Sequence, residues 1–123
     1  MIELPAIQDE QQLEDLLSEP TPEVIATLRR LEGDIVVLGV AGKMGPTLVR
    51  MAKRASDAAR LHRRVIGVAR FSSEGEAALQ THGIESIRCD LLREEEVARL
   101  PDVPNVIFMA GMKFGSTGNE ALT

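Results

Sequence analysis

The residues best placed to do chemistry in this sequence are three glycines at every third position, in the run Gly39-Val40-Ala41-Gly42-Lys43-Met44-Gly45. A first glycine permits a tight turn, and a second lets the backbone approach a pyrophosphate. A third lets a following helix pack close to a sheet, and that helix's N-terminal amides then face the anion. The spacing has weight only where a strand leads in and a helix leads out. Both are present. Asp34-Ile-Val-Val-Leu-Gly39 is a β-branched run too short for a helix, and Leu48, Val49 and Ala52 mark one side of a helix from about Lys43 to Ser56. The plainer reading, a turn that only reverses the chain, carries less weight in this context. A mononucleotide P-loop is excluded, because Lys43 is followed by Met44 rather than Ser or Thr, and Val37 stands where its first glycine belongs.

A turn of this kind expects a dinucleotide, and the end of the second strand selects which one. An acidic residue there accepts from the ribose hydroxyls of NAD and repels a 2'-phosphate. This sequence reads Val68-Ala69-Arg70-Phe71-Ser72, with no acid. Arg70 is always charged and can fork onto a phosphate, Lys43 adds a second cation, and Ser72 and Ser73 offer further hydrogen bonds. Either cation alone reads as an ordinary surface residue. Together with the missing carboxylate they make NADP the expected cofactor and NAD the alternative.

The elements that must position these groups follow from periodicity. Gln8 to Ser18 is a short amphipathic helix carrying Leu13, Leu16 and Leu17, and Thr21 caps a second, with Pro22 at its first position and Gly33 past its end. Residues 1–32 therefore read as a helical arm and residues 33–123 as the N-terminal part of an α/β domain. Arg64 to Ala69 is the second strand. Ser73 opens a helix that Gly83 ends, Ile84 to Cys89 is the third strand, Leu92 to Leu100 a short helix closed by Pro101, and Asn105 to Gly111 the fourth strand. Gly115 to Gly118 reads as a loop before a last helix beginning near Asn119. The fold class is α/β, a Rossmann-type doubly wound parallel sheet of order 3-2-1-4.

Composition narrows the classes further. A net charge of −5 and a pI near 5.0 give no general attraction to phosphate backbones, so nucleic acid is not an expected partner. No run approaches the ~18 apolar residues of a membrane span, and the acidic start from Met1 to Glu10 is unlike a secretory signal, so a cytoplasmic protein without membrane association is expected. The single Cys89 reads as a small core residue at a strand end rather than a reactive thiol. His62 and His82 read as surface residues, and no His, Cys and acid spacing suggests a metal.

From about Gly33 onward the chain resembles the extended branch of the short-chain dehydrogenase/reductase superfamily, the NAD(P)-dependent epimerase/dehydratase family. The resemblance rests on Gly39, Gly42 and Gly45, on Cys89-Asp90-Leu91 after the third strand, and on Met109-Ala110-Gly111 after the fourth. It implies that Asp90 meets the adenine amino group with Leu91 beside it, and that Met109, Ala110 and Gly111 line the cofactor cleft. Asp90 reads equally well as a cap for the helix that follows. The Gly-x-x-Gly-Lys-Met-Gly run also resembles the opening of dihydrodipicolinate reductases, a second Rossmann family whose match weakens beyond that motif.

The resemblance further implies an oxidoreductase, epimerase or dehydratase acting on a small-molecule, sugar-like or carbonyl substrate, in which a Tyr-x-x-x-Lys pair moves protons. The chain has no tyrosine, so no catalytic residue is carried over and this stretch is expected to be inert by itself. An NADP-binding sensor or scaffold without catalysis is the alternative. The uncharged run Val106 to Ala110 would leave an open sheet edge, which further strands, a second copy in a homo-oligomer, a ligand or the folded-back arm is expected to cover.

Overall fold

The computed structural model describes residues 8–110. Its arm is two helices with strong local start signals. In α1 (Glu10–Leu17) the Asp9 side chain accepts from the amide of Gln12, and in α2 (Pro22–Arg30) Thr21 accepts from Val24 with Pro22 in the first turn. Arg29 and Arg30 sit in the last turn of α2, where cations offset the negative helix end.

Beyond the arm, strands and helices alternate as β1 (Ile35–Leu38), α3 (Gly45–Ala58), β2 (Val65–Ala69), α4 (Ser73–Thr81), β3 (Glu85–Arg88), α5 (Glu94–Val97) and β4 (Asn105–Phe108). All pairings are parallel and the strand order is β3-β2-β1-β4. The chain thus moves outward from β1 through β2 to β3, then jumps back across β1 to β4. Leu38 lies opposite Val68 on one side and Phe108 on the other, which brings the carboxyl ends of β1, β2 and β4 level.

Burial explains the residue choice strand by strand. The central strands Ile-Val-Val-Leu and Val-Ile-Gly-Val-Ala are buried on both faces, so they are continuously apolar. The outer strands are less covered: β4 alternates between half-buried and exposed residues, and β3 is half-buried only at Ser86 and Ile87. On one face Ile35, Val37, Val40, Val49, Val65, Leu79 and Ile84 form the main core, with Leu28 of α2 and Ile107 and Met109 packed against it. On the other, Val36, Ile66, Val68 and Cys89 meet Leu91, Leu100 and Val103. Burying each such aliphatic side chain contributes about 1.5–3 kcal/mol relative to exposure, which is what holds the sheet beneath its carboxyl edge.

Three expectations change. The short helix is α5, four residues rather than Leu92 to Leu100. Leu92 stays 82% exposed, and past α5 the chain continues in tighter turns, Arg99 donating to Glu96 O and Leu100 to Val97 O at 3.1 Å each. Pro101 disfavours α geometry at Leu100, and the wider turn cannot persist. The fourth strand ends at Phe108, not Gly111. Of the covers expected for β4, the folded-back arm is not seen among the arm's described residues, 8–32. The arm docks on α3, where Arg50 pairs with Asp15 at 2.6 Å and Arg54 donates to Asp15 O at 2.7 Å and to the Ser18 hydroxyl at 2.9 Å. Among the described residues no strand pairs with the outer edge of β4. Gly111, the 115–118 loop and the last helix expected near Asn119 lie outside the described residues.

Candidate functional site

The glycine turn is built by the residue that the spacing overlooks. Val40 is completely buried, and its amide and that of Gly39 both donate to Val68 O, at 3.1 and 2.8 Å. The turn is therefore stapled to β2 as it leaves β1. Each glycine then has its own reason. Gly39 has φ +82, a left-handed conformation that side chains resist, and a Cβ there would fall on the backbone of Ala110. At Gly45 a Cβ would fall on the Val40 carbonyl, so the helix could not start so close to the turn. A Cβ on Gly42 would meet nothing within 4 Å among the described residues. No packing among them demands that glycine, so the space beside it is open.

The helix that follows starts bare. Met44 offers no side-chain cap to α3, and no acid lies in its first turn. By contrast α1, α2 and α4 are capped by Asp9, Thr21 and Ser72, and α5 carries Glu94, Glu95 and Glu96 in its first turn. The first amides of a helix lack intrahelical partners and carry partial positive charge; in α3 Pro46 has no N–H and Leu48 donates to Met44 O, so Gly45 and Thr47 are the first-turn residues left with amides to offer.

Around that edge the other expected residues are distributed by register. Arg70 directly follows β2, two residues past the Val68 carbonyl that holds the turn. Arg70 and Lys43 are both exposed, and among the described residues neither is in an ion pair. Ser72 is exposed but its hydroxyl is the N-cap of α4, accepting from Gly75 at 3.1 Å. Phe71 is 8% exposed and belongs to the main core, so its ring is turned inward.

At the end of β3, Cys89 donates its amide to Ala69 O at 3.1 Å and is buried, which pushes its thiol up from its ordinary value. Asp90 is half-buried. Its carboxylate accepts from Leu92 at 3.0 Å and its amide donates to Glu96 Oε1 at 3.0 Å. It braces the turn before α5 without being that helix's N-cap, which is Arg93. Leu91 packs under the sheet with Cys89, and Met109 packs into the main core, its amide donating to Leu38 O at 2.8 Å. Ala110 stands against Gly39.

Gly39, Gly42, Lys43, Met44, Gly45, Arg70, Asp90 and Ala110 thus share the carboxyl edge of one parallel sheet, with the glycine turn and Ala110 at the place where strand order reverses between β1 and β4 and Arg70 and Asp90 after the neighbouring strands β2 and β3. Crevices at such switch points are where open α/β sheets hold ligands. Two clefts lie away from the glycine turn, one walled by Glu14, Thr47, Arg50 and His82 and the other by Arg88, Arg93 and Arg99. Among the described residues no group of His, Cys, Asp or Glu could hold a metal ion, and no helix is long and apolar enough to cross a membrane. Compared with known proteins, the chain matches no family model, no curated protein and no solved structure.

Proposed function

We propose that this chain is the dinucleotide-binding part of a cytoplasmic oxidoreductase, epimerase or dehydratase acting on a sugar-like or carbonyl substrate, with NADP preferred over NAD. The observation that carries the reading is the glycine turn at the switch point. Gly42 has open space where a Cβ would sit, beside a helix whose N-terminus has neither cap nor acid. A pyrophosphate fits that chemistry, since it needs close backbone approach and unpartnered donors. Arg70 and Lys43 would meet the 2'-phosphate, and Asp90 with Leu91 the adenine. Ala110, with the backbone of Met109, would line the cofactor cleft.

A bound nicotinamide dinucleotide would supply hydride transfer. The chain's own residues bind and orient it. A second reading is an NADP-binding sensor or scaffold, which asks of these residues only that they bind and orient the dinucleotide.

Calorimetric titration of the chain with NADP and with NAD tests the assignment. NADP is expected to bind more tightly, and Arg70→Ala to erase most of that preference by weakening NADP alone. Equal affinity for both, or an equal loss of both in Arg70→Ala, overturns the NADP assignment. Binding of neither overturns the dinucleotide reading.

A further inference from the structure

We draw no further inference here: the strongest candidate, the uncharged outer edge of β4 with Val106 and Phe108 exposed on the sheet face beside it, carries none, because nothing among the described residues shows what covers it.

Discussion

Gly39, leaving β1, and Ala110, two residues past β4, stand so close that a side chain on Gly39 would overlap the Ala110 backbone. The contact joins the two strands between which the sheet order reverses, and it sets the floor of the candidate crevice. Gly39→Ala meets two penalties there. The left-handed φ of +82 costs a non-glycine residue about 1–3 kcal/mol, and the overlap adds an overpacking cost of similar size. A loss of about 2–6 kcal/mol is expected, read as a lower urea midpoint. An unchanged midpoint would show that the two strand ends are free to separate.

Gly42→Val is expected to behave in the opposite way. Gly42 does not have a left-handed φ, and a Cβ there would meet nothing within 4 Å among the described residues, so the substitution should leave the urea midpoint nearly unchanged. It would also fill the space that the backbone offers to phosphate. Nucleotide affinity should fall at least tenfold, about 1.4 kcal/mol or more, while stability holds. Gly45→Ala is the contrasting control, since its Cβ meets the Val40 carbonyl and should destabilise the fold before any ligand is added. If Gly42→Val binds dinucleotide as well as the unaltered chain does, the phosphate is not at this turn.

Much of this architecture is legible from local signals. Thr21 and Pro22 announce α2, the β-branched runs announce β1 and β2, and the glycine spacing announces the turn, because each depends on neighbours in sequence. Long-range relationships leave no such trace. Arg50, Arg54 and Arg63 look like ordinary charges among many, yet each reaches 32 to 39 residues back to hold the arm. Phe71 stands between Arg70 and Ser72 in the stretch expected to meet the cofactor, but strand alternation and the start of α4 turn it into the core. Ser73 opens α4 as its spacing indicates, while the Ser72 hydroxyl is committed to capping that helix.

Arg63 provides the clearest test that the arm belongs to the folding unit. It is 9% exposed, and its Nη2 donates to Leu28 O at 2.9 Å and Leu31 O at 2.6 Å, closing carbonyls at the end of α2. Helix C-termini leave carbonyls without partners, and hydrogen bonds from charged donors are the stronger kind. Arg63→Ala should therefore cost about 2–4 kcal/mol and speed proteolysis between α2 and β1. An arm merely appended to the sheet would show faster cleavage with no change in the main unfolding transition.

Asp15 makes the docking of α1 depend on acidity. The Arg50 guanidinium, 2.6 Å away, and the Gln11 amide hold the Asp15 carboxyl below the usual carboxylate range. A carboxyl depressed in the folded state contributes stability above its unfolded pKa, and that contribution is lost as pH falls through the folded value. The contribution is small, because the carboxylate is solvated and screened. Protease susceptibility of α1 should rise as pH drops below the ordinary aspartate value of about 3.9. Asp15→Asn should be more susceptible at neutral pH and lose this part of the acid dependence, while keeping any that other carboxylates impose. A variant whose pH profile for α1 cleavage superimposes on that of the unaltered chain would show that the Asp15–Arg50 pair does not hold the helix in place.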